Sequence, residues 1–278
     1  MRRITLILAV VFLAGSALTI RAQETAPDSP VSTPVAVRSQ ADCTGFIAEV
    51  PVPRDLFILG GADDDFHSVV RQFVAGESVF ISKQGVGDIP EGSEYSVVRP
   101  ARELFRTFHY QGQGADIRRL GVPYEDVAQV KVTHLLPDGV VAKVTFSCEP
   151  IVAGDILLPF QPRPIPQYTV SEPLDHFIPL DQRKPHGVIV GSRNNLGHFG
   201  RETAVYVSLG EKDGTSPGKR LRIYKAIAPA TAGSSNRQRT PPETVGEAVV
   251  LTVQSKTCVA MVVSSYREIS AGDNVEVE

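Results

Sequence analysis

Much of the second half of this chain repeats the first, and that constrains the fold more than any other feature. Val79-Phe80-Ile81-Ser82 is matched by Val205-Tyr206-Val207-Ser208, and at the same spacing beyond it residues 92–99 are matched by residues 218–225. Val127–Val132 corresponds to Val245–Val250, Val141-Ala142-Lys143-Val144 to Val259-Ala260-Met261-Val262, and Ser147 to Ser265. Each copy ends on an Ile, a Gly-Asp turn and a short apolar run: Ile151-Val152-Ala153-Gly154-Asp155-Ile156 and Ile269-Ser270-Ala271-Gly272-Asp273-Asn274-Val275. The entry segments also correspond, Pro53–Ile58 with Pro173–Ile178. A series of matches in one order marks a folding unit used twice.

The matched segments are short, rich in Val, Ile, Tyr and Phe, and separated by turn residues, which is strand chemistry. They predict strands at Val79–Ile81, Tyr95–Val98, Val127–Leu135, Val140–Phe146 and Ile156–Leu158, with an extra opening strand near 68–73 and its counterpart near 187–190. Pro137-Asp138-Gly139 predicts a tight hairpin, and Gly92 and Gly218 close matching turns. Gly85, Gly87, Gly154 and Gly272 suit positive φ, and Asp155 and Asp273 are placed to accept backbone N–H bonds within their turns. Short antiparallel strands hide their edges by closing on themselves. The expected fold is therefore all-β: two tandem small SH3-like β-barrel modules, 43–160 and 173–278, joined by a Pro-rich linker over 161–172. The Pro-rich joining segment Leu158–Pro166 reads as an extended spacer, or as an edge strand along the first module. No segment has a convincing helical period; residues 64–73 and 102–108 are the nearest candidates.

At the N-terminus, Arg2 and Arg3 precede an unbroken apolar run, Ile4–Ala14, and Ala22 offers a small residue ahead of Gln23. This is the pattern of a secretory signal over 1–22. The alternative is a retained anchor, although the run is shorter than the roughly 20 residues of a spanning helix. No other segment is apolar enough to span a membrane. Residues 23–42, rich in Pro, Ser, Thr and Ala, read as a disordered tether. Export means a periplasmic or secreted protein in an oxidising compartment. The expected arrangement is a Cys43–Cys148 disulfide with Cys258 buried and free, against three unpaired thiols. A formal net charge of −3 argues against nucleic acid as a partner.

The two copies diverge most between their second and third strands. The first carries an insertion from Pro100 to Pro123, with Arg102, Arg106, Arg118 and Arg119 beside Phe105, Phe108, His109 and Tyr110. The second runs from Ala226 to Pro242, with Arg237 and Arg239. Long loops in compact domains often carry function. Arg102, Arg106, Tyr110, Arg118, Arg119, Arg237 and Arg239 are thus the candidate binding residues, for an anionic glycan, a lipid headgroup or an acidic protein. The alternative is a solvated loop with Arg99 and Arg102 paired to Glu94 and Glu103. Asp63-Asp64-Asp65-Phe66-His67 is the one dense acidic cluster, but it lacks calcium-loop spacing, and the six His show no ligand spacing. No nucleophile elbow or phosphate loop is present. No metal, cofactor or catalytic residue is assigned, and a cryptic metal-dependent hydrolase is the weakest of the readings.

The stretches VYVSLGEKDGTSPGKRLRIYKAI and TVGEAVVLTVQSKTCVAMVVSSYREISAGDNVEVE resemble a module of exported bacterial envelope proteins. It is similar to the region accompanying LysM peptidoglycan-binding domains, and to the SH3-like C-terminal domain of the flagellar assembly protein T. The resemblance covers residues 55–278 and departs at Val127-Ala128-Gln129, where the second copy has Val245-Gly246-Glu247. No LysM sequence is present. The resemblance implies a non-enzymatic envelope protein, a structural adaptor or binding module, with peptidoglycan or anionic-glycan binding as the alternative.

Overall fold

The computed structural model describes residues 32–62, 71–82, 89–137, 139–169, 176–177, 179–225 and 242–278. Residues 1–22, read above as a secretory signal, and Asp63-Asp64-Asp65, Gly85, Gly87, Arg237 and Arg239 lie outside the described residues.

The chain enters through an arm of three short elements, β1 (Ser32–Pro34), α1 (Arg38–Asp42) and β2 (Phe46–Ala48). The first module then builds β3 (Ile58–Gly61), β4 (Ser78–Ile81) and β5 (Glu94–Pro100). A 3-10 turn at Arg102–Phe105 and α2 (Gln113–Leu120) follow, then β6 (Val122–Leu136), β7 (Gly139–Ser147) and β8 (Ile156–Pro159). The linker carries β9 (Gln167–Thr169). The second module runs β10 (His186–Ser192), β11 (His198–Phe199), β12 (Ala204–Val207), β13 (Arg220–Lys225), β14 (Glu243–Val253), β15 (Cys258–Ser265), β16 (Ile269–Ser270) and β17 (Asn274–Val277).

The repeat is visible strand for strand. The first module has the order β3-β4-β7-β6-β5-β8 and the second β10-β12-β15-β14-β13-β17. Register is kept too: Val79 faces Ala142 as Val205 faces Ala260. The matched Ser82 and Ser208 have matching structural roles, accepting hydrogen bonds from the amides of Phe57 (3.2 Å) and Val188 (2.9 Å). Alternate residues of each strand set fill a core, one around Val79, Val97, Val130 and Ile151, the other around Val205, Ile223, Val250 and Ile269.

The second module is a closed six-strand barrel, as expected. The first differs: it is a seven-stranded sheet, with β2 added alongside β6. Its outer strands meet at a single bridge, Phe57 with Ile156. Around that bridge the Ile58 amide donates to the Asp155 carbonyl (2.9 Å) and the Gly154 amide to the Ile58 carbonyl (2.8 Å). The second module repeats both bonds, from Ile189 to Asp273 (2.9 Å) and from Gly272 to Ile189 (2.8 Å).

Those bonds correct the reading of the entry. Ile58 is the partner of Ile189, so residues 56–60 correspond to 187–191, and the match of Pro53–Ile58 with Pro173–Ile178 is not structural. Among the described residues the opening strand of the first module is β3; of the strand expected near 68–73, residues 68–70 lie outside the described residues, and Phe73 makes a bridge to Ile151. The tether reading fails over 32–42, which form β1 and α1 and bury Val35, Ala36 and Ala41. The joining segment starts along the first module's edge, where Leu158 and Pro159 pair with Ser96 and Tyr95 of β5, and further on β9 pairs with β1 of the arm. Of the helical candidates, residues 64–70 lie outside the described residues and 102–108 holds the 3-10 turn at Arg102–Phe105, while the α-helix lies at Gln113–Leu120. Its two turns are too short to stand alone and depend on tertiary contacts.

The closing turns behave as expected. Gly154 (φ 90°) and Gly272 (φ 95°) occupy the left-handed region, as do Gly92 (φ 83°) and Gly218 (φ 85°). Asp155 accepts the Val152 amide (2.9 Å) and Asp273 the Ser270 amide (2.7 Å). Each Asp also meets the basic residue at the repeat-matched position of the neighbouring strand. Arg99 grips Asp155 with two bonds of 2.7 Å, and Lys225 lies 3.5 Å from Asp273. Arg99 therefore belongs to the turn, while Glu94 pairs with Lys131 (3.3 Å).

Candidate functional site

Of the residues singled out for binding, only Tyr110 lies where the first half of the chain embraces the second module. The arm supplies one side. Val35, Ala36 and Ala41 bury against Val249, Leu251 and Met261, which face outward from the barrel. At the next turn the Thr44 carbonyl accepts the Tyr206 hydroxyl (2.8 Å), and the Thr257 hydroxyl donates to the Ile47 carbonyl (3.1 Å). The chain is pinched between the modules at Gly45 (φ 72°), where a Cβ would lie 2.5 Å from the Tyr124 carbonyl and 2.6 Å from the Tyr206 oxygen. Only glycine fits that approach.

Three further attachments hold the arm. Cys43 and Cys148 form the expected disulfide, with a Cα–Cα distance of 5.6 Å. Asp126, buried in β6, accepts the Gly45 amide (2.7 Å) and the guanidinium of Arg163 from the linker (2.8 Å). Arg163 also donates to the Ala41 carbonyl (3.3 Å), so one arginine joins linker, arm and first module. Glu49 meets Lys256 (2.9 Å) and Lys212 (3.2 Å) of the second module. Hydrogen bonding, from Lys256 first, lowers its carboxyl to about 2.

The insertion after β5 supplies the other side. Ala101, Leu104, Ile117 and Leu120 pack with Ile47 onto Val190, Tyr206 and Val259 of the barrel. Gln113 is fully buried at this seam. It accepts the His109 amide (2.6 Å) and donates to the Val190 carbonyl (2.9 Å). From the barrel, the Asn195 amide donates to the carbonyls of Glu103 (2.9 Å) and Thr107 (3.1 Å), and Arg193 pairs with Glu149 (2.9 Å). Replacing Gln113 by Ala strands the buried Val190 carbonyl and removes the partner of the partly buried His109 amide, which costs roughly 1–3 kcal/mol. Thermal unfolding of that variant is expected to show a lower midpoint.

The insertion is thus an inter-module clamp and not a free loop. Tyr110 is correspondingly reassigned. Its ring packs over Gly272 of the second module's closing turn, and its hydroxyl donates to Asp116 (3.1 Å). Burial, aided by the Asp116 charge, pushes its phenol up. The four arginines lie on the opposite, solvent side. Arg106 pairs with Glu103 (2.9 Å) and Arg119 with Asp116 (3.2 Å). Arg102 and Arg118 are exposed and make no ion pair among the described residues, so the expected Arg102–Glu103 pairing gives way to Arg106–Glu103.

Among the described residues no three His, Cys, Asp or Glu side chains gather as metal ligands. Cys258 is free and buried, and burial pushes its thiol up. An open groove of about 460 Å³ runs along the linker between the modules, past Phe46, Val98, Leu158, Pro164, Pro217 and Leu251. No helix among the described residues is long and apolar enough to cross a membrane. Comparison of the sequence with protein-family models and with curated proteins finds no match.

Thr44, Gly45, Asp126, Arg163, Gln113 and Tyr206 were not among the expected site residues. One signal pointed to Asp126: the adjacent pair Glu125-Asp126 puts a carboxylate on each face of β6, and a buried carboxylate requires a partner.

Proposed function

We propose that this chain is an exported, non-enzymatic protein of the bacterial cell envelope, a rigid two-module adaptor that presents a fixed surface to an envelope assembly. The observation that carries this reading is the seam: arm, disulfide, linker and insertion all tie the two copies of one β-module together. A scaffold needs such rigidity, whereas modules that close on a substrate would need a hinge. The disulfide supports an oxidising compartment. The resemblance to the SH3-like module of exported envelope proteins, together with the N-terminal signal pattern, supports the periplasm.

Fractionation of bacteria expressing the full chain tests this. The protein is expected in the periplasmic fraction, with one reactive thiol, Cys258, after denaturation without reduction. Recovery from the cytoplasm with three reactive thiols would sink the proposal.

A further inference from the structure

The clamp has a second face that its structural duty does not use. Helix α2 turns Gln113, Gly114, Ile117 and Leu120 inward and leaves Arg118 and Arg119 outward. The preceding turn leaves Phe105 39% and Phe108 51% exposed, and Leu196 of the barrel is 47% exposed. These groups are neighbours. Leu196 follows Asn195, which is bonded to the carbonyls of Glu103 and Thr107. Phe108 and Arg118 share the space above Gly114, where a Cβ would lie 2.8 Å from the ring and 3.4 Å from the guanidinium.

Single exposed apolar residues mean little, but a cluster rimmed by charge marks an interaction surface. Here the insertion carries four arginines against two acids, Glu103 and Asp116. Two of the arginines, Arg102 and Arg118, are left without an ion pair among the described residues. Aromatic residues and arginine together are the composition of protein interface centres. A saccharide would need a flat ring free to stack, and the Phe108 ring already packs across Gly114.

We infer that the outer face of the clamp, Arg102, Phe105, Arg106, Phe108, Arg118 and Leu196, docks an acidic protein segment with apolar anchors. This rests on the adaptor reading and names the chemistry of its partner. The acidic groups would neutralise the unpaired guanidiniums while apolar side chains cover the phenylalanines. Neither interaction requires the modules to move.

The full mature chain is titrated with a fluorescent peptide that alternates Glu with Leu and Phe. Polyglutamate, purified sacculi and phosphatidylglycerol vesicles serve as comparison probes. The peptide is expected to bind more tightly than polyglutamate and to loosen with salt. Arg102→Glu/Arg118→Glu is expected to weaken it by at least about tenfold, and Phe108→Ala to weaken it while leaving polyglutamate unchanged. The arginine variant should keep its melting temperature, since those side chains are exposed. Unaltered peptide binding by the arginine variant overturns the inference. So does equal binding of polyglutamate and peptide, or arginine-dependent capture by sacculi or vesicles. A periplasmic protein with one reactive thiol that ignores the peptide overturns this docking face alone and leaves the adaptor reading standing.

Discussion

Loss of the Cys43–Cys148 disulfide is expected to lower stability by about 4–5 kcal/mol, the chain-entropy value for a loop of this size. The bridge closes a sequence separation of 105 residues, and one end lies on an arm whose apolar contacts are mostly with the other module. It therefore binds the first module to a strap wrapped around the second. Without it, β2 still pairs with β6 and Glu49 still meets its lysines, so the folded arrangement is retained but can open at lower cost. Urea unfolding of the Cys43→Ser/Cys148→Ser variant should show a clearly lower midpoint, and reduction of the native protein should reproduce it. Cys258, buried in the barrel core, serves as an internal control because it reacts with thiol reagent only on unfolding. An unchanged midpoint would mean that the unfolded chain is already constrained near Cys43, and that the strap is held by its non-covalent contacts alone.

The strand core was legible because the pattern that specifies it is local. Val79, Val97, Val130 and Val144 lie at period-2 positions, and the second copy repeats them, so each half corroborates the other. The closing turns were legible for a similar reason, since Gly154-Asp155 and Gly272-Asp273 carry their own backbone chemistry. The opening strand was not, because only Ile58 and Gly60 match Ile189 and Gly191, and the stronger Pro-x-Asp match upstream drew the alignment elsewhere. The clamp was missed for a more general reason. An arm of Pro, Ser and Ala residues has no apolar period of its own, and its order comes from the surface it meets. That surface did leave a mark in the sequence. Residues 244–251 are buried without alternation, and a strand buried on both faces needs a cover outside the barrel. Val249 and Leu251 are the residues that the arm covers. The insertion was correctly singled out as unusual. Its arginines drew attention to the solvent face, while Leu104, Ile117 and Gln113 face the second module.

Replacing Arg163 by Met should be among the most damaging single changes, at roughly 3–5 kcal/mol, because it leaves a buried carboxylate unpaired. The Asp126 side chain is only 7% exposed, and Arg163 is its ion partner, at 23% exposed. The Gly45 amide satisfies part of one oxygen but supplies no charge. The methionine would fill much of the arginine's volume, so packing loss is small and the measured effect reports the charge. Asp126→Asn alone strands the guanidinium, but closer to solvent, and should cost less. In the double variant no buried charge remains. Its loss should then be smaller than the sum of the two single losses, by a coupling of about 1–3 kcal/mol. Chemical unfolding of all four proteins closes the cycle. Strict additivity would show that Asp126 and Arg163 act independently. In that case linker and arm would be held by the β1–β9 ribbon and the barrel contacts, and the arginine would be dispensable to the seam.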